Sequence, residues 1–94
     1  MKVTFLPEAE KVILEISLWV EEKNTPGSGT RFMSKFIDKI SSFALQGIVY
    51  MICPNKSLSS LKFRCNAIDD WVIAFKQTNE EFILHYILYG PALR

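Results

Sequence analysis

At 94 residues the chain has room for one small domain spanning 1–94, and with 49% hydrophobic, 22% charged and 13% aromatic residues it has the composition of a folded protein, which excludes a disordered one. Eleven Lys and Arg oppose ten Asp and Glu, so the net charge of +1 excludes a strong global field for drawing in nucleic acid. No apolar run approaches the roughly 18 residues of a membrane span, and MKVTFLPEAE lacks the apolar middle of a signal peptide, so a cytoplasmic protein is expected.

MKVTFL alternates, with Val3 and Phe5 on one side and Lys2 and Thr4 on the other, as a short half-buried strand does. Pro7 stops the strand and suits the first turn of a helix, where Glu8 and Glu10 meet the positive end of the helix dipole. The following EAEKVILEISLWVEEKN spaces Ala9, Val12, Ile13, Ile16, Trp19 and Val20 as one apolar stripe. TPGSG at 25–29 ends this helix and allows only a sharp reversal. A second helix is expected from about Thr30 to Phe43, with Phe32, Met33, Phe36, Ile37, Ile40 and Phe43 facing the core, so the two pack as an antiparallel hairpin. Arg31, Lys35 and Lys39 on this second helix face only Asp38, the pattern of a solvated face.

From Ala44 to Ser60 the pattern blurs. IVYMICP is apolar but unperiodic and is bounded by Gly47 and Pro54, while NKSLSS reads as loop, so the segment is expected to be a packed connection. Cys53 and Cys65 lack metal-ligand spacing and a neighbouring His, which in a reducing compartment makes them buried thiols. Three strands follow, LKFRCN, WVIAFKQ and FILHYILYG, joined by short polar segments as an antiparallel meander. The expected fold is therefore α+β, with the helix hairpin on one face of the sheet. No metal or other cofactor is implied.

Register follows from side-chain chemistry. Closing the last hairpin around Asn79 and Glu80 sets Phe75 opposite Leu84, Ile73 opposite Tyr86 and Trp71 opposite Leu88, a large apolar face to meet the helices. A four-residue loop in the first hairpin would set Lys62 and Arg64 on that face without partners, at high cost. One extra loop residue or a bulge reverses the parity and brings Leu61, Phe63 and Cys65 to the core instead. The opposite face then carries Lys62, Arg64, Val72, Ala74, Lys76, His85, Ile87 and Tyr89, an apolar strip rimmed by cations. Its cover is a binding partner, the 48–52 loop, or a second copy of the chain.

The order strand, helix hairpin, meander, with LPEAEKVILEISLWV near the start and KFRCNAIDDWVIAFKQTNEEFILHYILYG near the end, resembles the RelE/ParE family of toxins from type II toxin–antitoxin, or plasmid stabilisation, systems. Pro7, Glu8 and Ala9 match that family's helix start, and Tyr89 with Gly90 loosely match its closing segment. The resemblance implies a cytoplasmic toxin neutralised by a cognate antitoxin whose acidic tail lies on the sheet, against Lys62, Arg64, Val72, Ala74, Lys76 and Ile87. An amphipathic segment would lay its apolar side on the strip and its carboxylates on the cations.

Two activities exist in the family. RelE-like members cut messenger RNA on the ribosome, and ParE-like members bind DNA gyrase. The nuclease branch has an Arg after the aromatic that opens the middle strand, where this chain has Val72 after Trp71, and another Arg after the last strand, where Gly90 and Pro91 stand and only the terminal Arg94 follows. Lys62 and Arg64 would remain as phosphate contacts, His85 as proton carrier and Tyr89 as orienting hydroxyl. Each also has a plain role: solvated strand cations, a half-buried imidazole satisfied by a neighbour, a rim aromatic. Asp69, Asp70, Glu80 and Glu81 are turn residues. A ParE-like toxin acting by protein binding is thus preferred, with a ribosome-dependent endoribonuclease second and a decayed toxin serving as a binding or oligomerising scaffold third.

Overall fold

The computed structural model describes residues 1–45 and 48–93 of the chain. Strand β1 (Lys2–Phe5) leads through Pro7 into helix α1 (Pro7–Lys23), and helix α2 (Ser28–Ser42) returns beside it. A connection containing the short helix α3 (Lys56–Ser60) reaches strands β2 (Arg64–Ile68), β3 (Trp71–Gln77) and β4 (Glu81–Tyr89), and a 3-10 turn follows at Gly90–Leu93. No helix among the described residues is long and apolar enough to cross a membrane.

The fold is α+β, but its sheet is mixed and four-stranded, in the order β1-β4-β3-β2, with β1 parallel to β4. The first strand therefore completes the sheet rather than standing apart from a three-stranded meander. Ala9, Ile13 and Ile16 of α1 and Phe36 and Ile40 of α2 pack on Ile68, Ile73, Phe75, Phe82, Leu84 and Ile87, which form the main core. Trp19 does not join the stripe assigned to α1; it is 59% exposed, because the buried side of that helix is centred on Ala9, Ile13, Ile16 and Ser17.

The reversal between the helices rests on two glycines and one carboxylate. Gly27 precedes α2 with φ of 87°, a left-handed conformation open to glycine, and a β-carbon on Gly29 would collide with the Ser17 carbonyl oxygen. The Glu21 carboxylate accepts hydrogen bonds from the backbone N–H groups of Gly27 at 2.8 Å and Gly29 at 2.9 Å, so α1 supplies the cap that the start of α2 lacks in its own sequence. These bonds, Gly29 first, and then the Arg31 charge hold the Glu21 carboxyl below its ordinary pKa.

The expected register of the first hairpin is corrected, and that of the second in part. The first hairpin has a two-residue turn, Asp69–Asp70, so Ile68 lies opposite Trp71, Cys65 opposite Ala74 and Arg64 opposite Phe75. Asp69 takes φ of 53°, which Asp accommodates better than most residues. Arg64 thus shares a side with Phe75, and the cost that argued against this parity is avoided. Arg64 opens an edge strand, stays half-exposed, and donates from Nη1 to the Tyr50 carbonyl at 2.9 Å. Lys62 stands before the ladder, exposed, at φ of 64°.

In the second hairpin the expected pairs Phe75–Leu84 and Lys76–Ile83 hold, but a bulge between Ala74 and Phe75 leaves His85 unpaired. Beyond it Ala74 meets Tyr86, Ile73 meets Ile87 and Trp71 meets Tyr89. Ile87 therefore points to the helices and Tyr86 away from them.

The connection is structured. NKSLSS, expected as loop, contains α3, capped by the Asn55 side chain, which accepts from Ser57 N at 3.0 Å and Leu58 N at 3.3 Å. Cys53 and Cys65 are joined by a disulfide, against the expectation of two thiols. Beside the disulfide, Cys53 N–H donates to the Phe63 carbonyl at 2.9 Å and Cys65 N–H to the Met51 carbonyl at 3.2 Å, so the connection lines the outer edge of β2. The boundary assigned to Gly47 lies outside the described residues.

Candidate functional site

The second face of the sheet is covered in its middle. Cys53, Phe63, Cys65 and Ala74 form a buried cluster there, with Leu58 and Val72 packed against it. The covering residues are Cys53 and Leu58 of α3, whereas Ile48, Val49, Met51 and Ile52, proposed as the cover, are exposed. Ala74 is fully buried and Ile87 is 5% exposed in the main core, so neither is available to a partner, and Val72 is half-buried beneath the connection. Two of the residues assigned to partner binding are thus corrected, Ala74 by the connection and Ile87 by the bulge.

The cations survive this correction. Lys62, Arg64 and Lys76 line one open groove of about 570 Å³ together with Ile48, Val49, Tyr50, Leu61, Gln77, Thr78 and Asn79. The groove forms because β2 begins only at Arg64, leaving the end of β3 around Lys76 without a neighbouring strand on that side. Its wall is held by Tyr50, whose hydroxyl donates to the Phe43 carbonyl at 2.9 Å and whose ring meets Phe75 edge-on at 5.5 Å. Val49, 80% exposed, and Leu61, 59% exposed, leave apolar surface between the charges. Among the described residues the sole ion pair is Lys11 with Glu15 on α1, so no carboxylate neutralises the groove.

Behind the groove Lys76 and His85 share an aromatic ring. Lys76 Nζ lies 4.8 Å over the centroid of Phe63, and the His85 ring meets Phe63 edge-on at 4.9 Å. Burial, and then the Lys76 charge, push the His85 pKa below its ordinary value, against a smaller opposing pull from Glu8. The imidazole is therefore neutral at physiological pH and able to accept a proton. Tyr86 stands next to it, 40% exposed, its ring 5.5 Å from Phe63.

Tyr89 does not join this group. Its ring meets that of Trp71 at 5.3 Å, tilted by 59°, and lines a separate groove with Glu15, Ile16 and Trp19 at the helix side of the sheet. The tyrosine beside the imidazole is Tyr86, which alternation had placed in the core, its ring centroid 6.1 Å from that of His85; only the bulge at His85 moves it out. Arg94 lies outside the described residues. Among those residues no group of His, Cys, Asp and Glu is placed to hold a metal ion. No model of a known protein family matches the chain, and no curated protein matches it either.

Proposed function

We propose that the chain is the toxin of a type II toxin–antitoxin pair, ParE-like in acting through protein binding, with gyrase as target by likeness to that family. Its cognate antitoxin docks in the groove of Lys62, Arg64 and Lys76. The groove carries this reading: three cations that form no ion pair among the described residues surround exposed Val49 and Leu61, the chemistry that an acidic amphipathic segment complements. The order strand, helix pair, three strands, with both helices on one face, agrees with the resemblance in the sequence. The antitoxin contacts are Lys62, Arg64 and Lys76 with Val49 and Leu61, in place of the buried Ala74 and Ile87.

Lys76, Phe63, His85 and Tyr86 favour a second reading, a ribosome-dependent endoribonuclease. A neutral imidazole beside a cation is suited to taking the proton of a 2′-hydroxyl while the ammonium group faces the phosphate. Against it, Arg64 is committed to the Tyr50 carbonyl, and Val72 stands where the nuclease branch has an arginine.

Induced expression in growing bacteria tests both. Growth arrest with intact messenger and a DNA-damage response supports the binding toxin. Messenger loss within minutes that disappears in His85→Ala supports the nuclease. A folded protein without effect on growth removes both readings and leaves the binding scaffold.

A further inference from the structure

Helix α1 presents a second apolar side. Leu14 is 51% and Leu18 61% exposed on the side turned away from Ala9, Ile13 and Ile16, which pack on the core. Exposed leucines one helical turn apart make a contiguous ridge, unlike a single surface leucine. Lys11, Glu15 and Glu22 flank the ridge on one side, all exposed, with Lys11 4.0 Å from Glu15, and exposed Glu10 lies on the other side.

The arrangement is self-complementary. Leu14 and Leu18 lie symmetrically about Ile16, and Lys11 and Glu22 lie symmetrically about a point half a residue further on. Eleven residues is close to three turns at 3.6 residues per turn, so Lys11 and Glu22 lie nearly on one line, about 16 Å apart. Two copies of α1 crossing antiparallel at Ile16 would bring Leu14 of one against the partner's Leu18, and Lys11 against the partner's Glu22. Both contacts occur twice, as a two-fold axis requires.

We propose that α1 is the seam of a homodimer in which Leu14 and Leu18 of two copies interlock and Lys11 pairs with the partner's Glu22. An acidic partner segment does not suit this face, because Glu15 and Glu22 outnumber Lys11 there. The seam lies on the helix side of the molecule and the cationic groove beside the connection, so dimerisation is compatible with, and independent of, the docking described above.

Sedimentation equilibrium across a concentration series tests the seam. The wild type is expected to dimerise reversibly, and Leu18→Glu to raise the dimer dissociation constant by at least about tenfold, while circular dichroism shows the fold intact because the position is exposed. Lys11→Glu is expected to weaken the dimer about tenfold, and the double variant Lys11→Glu, Glu22→Lys to recover most of that loss. A wild type that stays monomeric at its highest soluble concentration overturns the proposal. So does a dimer indifferent to Leu18→Glu, or a double variant no tighter than Lys11→Glu alone.

Discussion

Residue 85 decides which way the end of β4 faces. By leaving His85 outside the ladder, the bulge sends Tyr86 to the second face and Ile87 into the core, where strict alternation would have done the reverse. The two neighbours should therefore differ sharply in tolerance to charge. Ile87→Glu would bury an unpaired carboxylate among Ile73, Ile13 and Ile16 and is expected to cost at least about 3 kcal/mol or prevent folding. Tyr86→Glu, at a 40% exposed position, should cost less than about 1 kcal/mol in urea unfolding, and equal losses at the two sites would contradict the bulge. Arg64 shows the same point for charge: a cation on the helix side of an edge strand is tolerated because its guanidinium reaches the Tyr50 carbonyl and its stem stays half in water.

Among the elements, the helix hairpin depends on a bond between its parts that neither helix contains alone. The N-terminus of α2 has no side-chain cap of its own, and the Glu21 carboxylate supplies one from the preceding helix. Because these bonds depress the folded pKa of Glu21, their contribution is present above the unfolded value near 4.5 and is lost as pH falls through the lower folded value. Glu21→Gln is expected to lower Tm at pH 7 by a few degrees, with the difference from wild type shrinking below pH 4.5. A difference that stays constant into acid would assign the loss to packing instead. The hairpin itself was legible, since the α2 stripe of Phe32, Phe36 and Ile40 packs as its spacing implies. The cap was not, because Glu21 is an ordinary helix-end acid until the chain turns back on it.

For the molecule as a whole, the connection between α2 and β2 acts as a clasp over the second sheet face. The Cys53–Cys65 disulfide closes it across a sequence separation of 12 residues, and loops of this size restrict the unfolded chain by about 3 kcal/mol. Cys65→Ser is expected to lower the unfolding free energy of the oxidised protein by roughly that amount. Added reductant should destabilise the wild type and leave the variant unchanged, and a wild type indifferent to reductant would show that the disulfide contributes nothing. A bridged pair also bears on location. Disulfides persist in oxidising compartments, so a chain working in the cytoplasm would carry the clasp with its thiols free, held by the β2 edge bonds and the Asn55 cap.

The order of the first strand, the two long helices and the three last strands, the buried stripe of α2 and the chemistry of the candidate cations were set by the sequence, because periodicity, Pro7, the TPGSG turn and residue charge act over a few neighbouring residues. Which sheet face lies inside, which of Tyr86 and Ile87 reaches solvent, and that Lys62, Arg64 and Lys76 share a groove were decided only in three dimensions. Alternation defines two faces of a strand without naming the buried one, and β4 is apolar on both. A single unpaired residue, a two-residue turn and a disulfide then choose between them, since each alters register or cover without altering any local pattern.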